Sequence, residues 1–159
     1  MTLIIICIIV AIGYLCYSAW VAGGIPESMS ATYYLLGKRG WLFQLAMSIV
    51  SLCLLPVWMD ASSERNEHLV FLACSGLMFV AVAPAFRLKL EGAVHYSAAV
   101  VCCFCAILWS IYEDVWDTTL IFGFCAWMLY LQYGKWCWWL EIAVIGSVFA
   151  NLLRFSFFV

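Results

Sequence analysis

The sequence predicts an all-α integral membrane protein, an up-down bundle of six transmembrane helices. Three observations carry that expectation. Of the 159 residues, 68% are hydrophobic, against about 45–50% in soluble domains. The seven Lys/Arg and nine Asp/Glu fall in short clusters between apolar runs, and the runs approach the roughly 20 residues a helix needs to cross the hydrocarbon. Mean hydropathy is +1.08 in an 18.0 kDa chain, which is more apolar surface than a soluble domain of that size has polar residues to cover. The length suits a single transmembrane domain, 1–159, without a soluble appendage.

The first run, Leu3 to Ala22, stops at Gly23-Gly24-Ile25-Pro26. No Lys or Arg precedes it, unlike the basic start of a secretory signal, so it is expected to be a retained helix. The second runs from Trp41 to Met59 and stops at Asp60. The third runs from His68 to Phe86, with Pro84 near its end and Arg87 and Lys89 beyond. The fourth runs from Ala93 to Tyr112 and stops at Glu113-Asp114. The fifth, Thr118 to Tyr133, is the shortest, and the sixth spans Trp136 to Val159. Five helices result instead if Thr118 to Val159 does not form two spans. Short connections make neighbouring helices antiparallel. The two halves show no repeat, which gives an inverted-repeat transporter no support.

Small residues mark expected helix contacts: Ala93, Ser97 and Ala98 on the fourth helix, and Gly146, Ser147 and Ala150 on the sixth. Aromatic residues near helix ends, including Trp20, Trp41, Trp58, Trp109, Trp116, Trp136 and Trp138, read as an interfacial belt. Eight of the nine cysteines lie inside apolar runs and read as small packing residues. In Cys102-Cys103-x-Cys105, adjacent helical positions diverge by about 100°, and no second cluster adds thiolates.

Net charge is −2 with no basic run, so nucleic acid is excluded as a partner. Odd connections carry Lys38, Arg39, Arg87, Lys89 and Lys135, whereas the other face carries Arg65, Arg154 and most of the acids. The positive-inside rule then places odd connections in the cytoplasm and both termini outside, in a plasma or bacterial inner membrane.

Alternating topology brings Glu27, Ser28, Ser30, Arg87, His95 and Glu141 to one membrane face. Ionisable groups at membrane depth are costly and usually face a bundle interior or a wet cavity. These six form the expected headgroup pocket, with Arg87, Ser30 and His95 as the natural phosphate ligands. Each also has a plain structural reading. His95 is then a core histidine on a carbonyl, Glu141 reaches the headgroups or pairs with Lys135, Arg87 anchors a helix end, and Ser28 or Ser30 caps a short helix running towards Leu36. On the opposite face, Asp60, Glu64 and His68 are a weaker set for a divalent cation, since Glu64 and His68 share a face only if the helix starts that early. The chain has only two histidines, which argues against a three-His zinc centre. No metal or other cofactor is expected.

Two stretches also carry a family resemblance. Pro26-Glu27-Ser28-Met29-Ser30-Ala31-Thr32-Tyr33 follows the first helix, and Ala83-Pro84-Ala85-Phe86-Arg87 precedes Val94-His95-Tyr96-Ser97-Ala98-Ala99. The arrangement resembles the six-helix membrane superfamily of damage-regulated autophagy modulators, glycolipid-anchor remodelling Golgi proteins and their uncharacterised bacterial relatives. Ser30 and His95 match its serine after the first helix and its histidine opening the fourth. Ala31 departs from it, standing where an acid is usual. The charge asymmetry also places the first connection on the opposite side from the family's. The resemblance implies six helices and a lipid-related role.

The expected function is binding of a lipid or amphiphile headgroup at one membrane face, with headgroup chemistry as an extension. A small transporter or channel subunit and a non-catalytic assembly partner are the alternatives. The expected partners are a membrane lipid, a second copy of the chain or another membrane protein.

Overall fold

A computed structural model describes residues 2–158; the last residue of the expected sixth span, Val159, lies outside them. Within the described residues the chain is all helical: α1 (Thr2–Ala22), α2 (Thr32–Leu35), α3 (Trp41–Asp60), α4 (Glu67–Val82), α5 (Lys89–Tyr112), α6 (Trp116–Tyr133) and α7 (Trp136–Phe158), with a 3-10 turn at Gly37–Arg39. Four segments are long and apolar enough to cross a membrane: Thr2–Ala22, Gly37–Asp60, Lys89–Tyr112 and Trp136–Ser156. Helix α4 is apolar but only 16 residues long, which gives about 24 Å of rise.

The boundaries have local causes. Helix α4 ends four residues before the expected Phe86, because Pro84 lacks an N–H and pushes the preceding residue out of the helical region. Ala83 accordingly sits at φ −111°, ψ 57°. The polar start of α5, Lys89-Leu90-Glu91, is helical although the apolar run begins only at Ala93. Pro56 lies inside α3, where it leaves one carbonyl of the preceding turn without its usual donor.

Helices α1, α3, α4 and α5 pack in sequence, and α7 closes the bundle against α1 and α5 with α6 on its outer side. Each buried face follows helical spacing. On α1 it is Ile4, Cys7, Ala11, Tyr14 and Ser18; on α3 it includes Phe43, Met47, Val50, Leu54 and Trp58. Only Ala126 of α6 is buried. Large apolar side chains such as Ile9, Val100, Phe124 and Leu131 project outward and give the bundle an apolar exterior.

Helices α4 and α5 approach closely at Gly76. A Cβ there would lie 2.8 Å from the Ala98 carbonyl oxygen and 3.0 Å from the Cys102 nitrogen. Gly146 on α7 admits the Phe122 ring of α6 in the same way. Ser147 is buried as expected, but Ala93 and Ser97 are exposed: helical rotation about α5, set by the burial of His95, turns them outward. The aromatic belt needs a similar correction. Trp58, Trp109 and Trp138 are core residues, and the first two stack edge to face at 5.3 Å. Trp20, Trp41, Trp116 and Trp136 are exposed at helix ends.

The end of the bundle opposite the basic connections is tied by Glu113. Its Oε1 accepts the Ser63 N–H (2.9 Å), the Ser63 hydroxyl (2.7 Å) and the Asn66 amide (2.9 Å), and so holds the α3–α4 connection to the end of α5. Arg154 pairs with Asp117 nearby at 3.1 Å. The set Asp60, Glu64 and His68 is not assembled. Helix α4 starts at Glu67, which leaves Glu64 in the preceding turn without helical register to His68. All three are exposed. Among the described residues no three His, Cys, Asp or Glu side chains gather around a common point, and all nine cysteines are free thiols.

Two measurements check this packing. Gly76→Val should lower the melting temperature in detergent far more than Gly13→Val, since Gly13 has open space around it. Glu113 supplies a pH test. Partial burial pushes its carboxyl up, but the Asn66 and Ser63 hydrogen bonds outweigh that and hold it below its ordinary value of 4.5. A carboxyl depressed in the folded state stabilises above its unfolded pKa, and that contribution is lost as pH falls through the folded value. Glu113→Gln should therefore be less stable than wild type at pH 7, with the gap closing as pH drops below about 4.

Candidate functional site

The connections Gly23–Gly40, Ala83–Leu88 and Gly134-Lys135 meet at one end of the bundle, and they bring all six expected residues there. The segment after α1 is a compact turn. Thr32, Tyr33 and Tyr34 donate their N–H groups to Met29, Ser30 and Ala31 carbonyls. Ser28 Oγ accepts the Ala31 N–H at 3.0 Å, so Ser28 caps this turn. Tyr14 on α1 bonds the Thr32 hydroxyl, which in turn bonds the Met29 carbonyl. Because a carbonyl only accepts, Thr32 donates to Met29 and Tyr14 donates to Thr32.

Ser30 does not cap. Its Oγ lies 2.9 Å from His95 Nε2, and His95 Nδ1 lies 2.9 Å from the Ala83 carbonyl oxygen. His95 and Ser30 are both buried. The Ala83 carbonyl accepts only, so the proton of the neutral imidazole sits on Nδ1; Nε2 then accepts the Ser30 hydroxyl proton. The carbonyl is available because Pro84 has stopped α4 just there. The core-histidine reading and the site reading thus describe the same side chain: one nitrogen anchors, the other holds Ser30. Phe86 packs on the His95 ring at 5.1 Å.

Glu141, one turn into α7, turns inward. Its Oε2 accepts the Met29 N–H at 2.6 Å. It does not pair with Lys135, which bonds Glu27 across the site rim. Arg87 is exposed. Its guanidinium lies over the Tyr34 ring at 4.3 Å, and its N–H donates to Tyr34 Oη at 2.9 Å.

Between these groups lies a cavity of about 60 Å³ lined by Met29, Ser30, Glu141 and the apolar side chains of α3, α4, α5 and α7. It has room for a small polar head, not for a whole lipid. Ser30 and Glu141 supply its polar atoms, with His95 behind Ser30. Glu27, Ser28 and Arg87 belong to the rim, and Arg87 is not among the lining residues. The phosphate arrangement expected from Arg87, Ser30 and His95 is therefore not present as a single set. Sequence reasoning missed Tyr14, Thr32 and Tyr34, which carry no charge and lie among many similar aromatics. It also missed the Ala83 carbonyl, a main-chain group for which Pro84 was the available signal.

The centre of the bundle offers little polar lining. Ser51 bonds the Cys74 carbonyl at 2.7 Å and Ser110 the Ile107 carbonyl at 2.8 Å. Both hydroxyls are thus committed to helix backbone, whereas Asn151 of α7 is buried with no hydrogen-bond partner for its side-chain amide among the described residues.

No protein-family model matches the chain, and no curated protein and no solved structure matches it. The superfamily resemblance stands on its two sequence stretches alone.

Removing His95 leaves the Ser30 hydroxyl and the Ala83 carbonyl without their partner, at a cost of about 1–3 kcal/mol per buried group. His95→Ala should thus destabilise more than Ser30→Ala, measured by thermal unfolding in the same detergent. Equal melting temperatures for the two variants would contradict the assigned bonding.

Proposed function

We propose that this chain is a six-span membrane protein that binds the headgroup of a lipid or other amphiphile at its cytoplasmic end. The observation that carries the reading is the meeting of Ser30 and Glu141, 111 positions apart in sequence, at one cavity whose other walls are apolar side chains and thiols, with His95 bonded to Ser30 behind it. Polar and ionisable groups inside such a bundle are costly and are kept where something polar binds. His95 lies behind Ser30 with both ring nitrogens engaged, so any headgroup chemistry here would run through the Ser30 hydroxyl, with His95 Nε2 as the acceptor of its proton.

The orientation follows from charge. Lys38, Arg39, Arg87, Lys89 and Lys135 lie at the same end as the cavity, and the positive-inside rule puts that end in the cytoplasm. The short α4 and α6 then cross as part of the bundle. Aromatic and basic residues around the cavity, such as Trp41, Trp136 and Lys89, fit the headgroup layer.

Two experiments test this. Reporter fusions at the C-terminus should give active alkaline phosphatase and dark green fluorescent protein, as an external terminus requires; a fluorescent fusion would contradict the orientation. Native mass spectrometry from mild detergent should show a retained amphiphile on wild type. His95→Ala should lose about tenfold in occupancy, the equivalent of about 1.4 kcal/mol, and Arg87→Ala, at the rim, should lose less. Wild-type retention in the His95→Ala protein would contradict the site.

A further inference from the structure

Hydrogen-bond accounting inside the cavity says what kind of head it takes. The Ala83 carbonyl fixes the proton of the neutral His95 imidazole on Nδ1, so Nε2 consumes the Ser30 hydroxyl proton. What Ser30 then offers the cavity is oxygen lone pairs. Glu141 offers a carboxyl group, of which Oε2 takes the Met29 N–H and Oε1 has no bond to a main-chain or side-chain donor among the described residues. The other lining residues are Met29, Phe43, Met47, Leu77, Val80, Ala99, Val144 and Ile145, with the thiols of Cys102 and Cys103, at most weak donors. With Glu141 ionised, two strong acceptors face the cavity and, among the described residues, no strong donor and no cation; an ammonium head brings the positive charge that a buried carboxylate needs.

None of the five basic residues at this end lines the cavity; Lys38 and Lys89 are exposed, and the other three are engaged elsewhere. Lys135 pairs with Glu27, Arg87 stacks on Tyr34, and Arg39 donates to the Tyr17 hydroxyl at 3.1 Å. A phosphate or carboxylate head would meet only acceptors and lose its own hydration without return. A primary ammonium carries three donors and a positive charge, which is the complement of Glu141 and Ser30 together. A quaternary head lacks those donors, and the cavity provides one aromatic wall, Phe43, not the aromatic cage that such heads favour.

A second cavity offers room for an apolar tail. Between α1 and α7 an apolar groove of about 320 Å³ runs past Ile8, Ile12 and Leu15 on one side and Ile142, Phe149 and Leu153 on the other. Met29 and Ile145 line both this groove and the polar cavity. An amine carried directly on an alkyl chain reaches Glu141 past these two side chains while its tail lies in the groove. Resting on the headgroup reading above, we infer that the site takes a long-chain primary amine, its ammonium seated between Glu141 and Ser30 and its chain lying along α1 and α7.

Native mass spectrometry of the full chain tests this with single-chain probes that share one dodecyl tail: dodecylamine, dodecanol, dodecyltrimethylammonium and dodecyl phosphate. Phosphatidylethanolamine and tail-less methylamine are added as separate arms. Wild type should retain dodecylamine at least about tenfold over the other three dodecyl probes, and over methylamine. Glu141→Gln preserves shape and the oxygen that accepts Met29 N–H; it should keep its melting temperature, retain dodecanol as wild type does, and lose the amine preference. Ile12→Trp, at an exposed position that lines the groove away from Glu141, should fill the groove and lower occupancy by all dodecyl probes together. An unchanged amine preference in Glu141→Gln overturns the inference, as does equal retention of all heads by wild type. Preference for phosphatidylethanolamine over dodecylamine overturns the single-chain assignment. If wild type retains dodecyl phosphate best, the ammonium assignment fails while the headgroup reading stands; if wild type retains no amphiphile of any kind, both fail.

Discussion

A helix in an apolar environment satisfies its own backbone, but a chain break or a polar side chain must find its partner inside the protein. That constraint organises this molecule. Where Pro84 ends α4, the Ala83 carbonyl needs a donor, and His95 Nδ1 supplies it. Where the chain leaves α1, the Met29 N–H needs an acceptor, and Glu141 of α7 supplies it. Ser30 and Thr32 of the same turn tie to α5 and α1. One loop is thus clamped to three helices by groups from distant parts of the sequence, and the cavity is the space the clamps leave between them. The opposite end is arranged alike around Glu113, with Ser63 and Asn66 as donors, but there three bonds converge on the single oxygen Oε1.

The contrast between the two ends bears on function. Glu113 draws three donors to one oxygen at an exposed helix end. Glu141 receives one N–H and faces a small apolar chamber. Glu141 thus serves the fold with Oε2 and keeps Oε1 on the chamber side, which is the capacity the proposed ligand would use. His95 differs again: both its nitrogens are occupied, so it serves packing and site together, and its substitution alone cannot separate the two.

Much of the fold is legible in the sequence because hydropathy reports on surroundings. The ends of α1 at Gly23-Gly24, of α3 at Asp60 and of α5 at Glu113 all follow from where apolar runs stop. The start of α5 does not, since Lys89-Leu90-Glu91 is polar yet helical, and the end of α4 is decided by backbone sterics at Pro84 and not by hydropathy. Helix rotation is the least legible feature. Trp58 and Trp109 sit near helix ends like Trp41 and Trp136, and only tertiary packing shows that the first pair stacks in the core. The gathering of Glu27, Ser28, Ser30, Arg87, His95 and Glu141 at one end follows from counting helices. Their division into cavity and rim depends on side-chain direction, which alternating topology does not encode.

The central claim is that the chamber between Ser30 and Glu141 holds an amphiphile's head. The most direct measurement is a cryo-electron microscopy structure of the chain extracted from its own membrane into lipid nanodiscs, made rigid enough for imaging by a bound antibody fragment. The account predicts density for a small head in contact with Ser30 Oγ and Glu141, continuous past Met29 and Ile145 with a chain between α1 and α7. A chamber closed by collapsed side chains, with lipid density confined to the outer surface of the bundle, would contradict it.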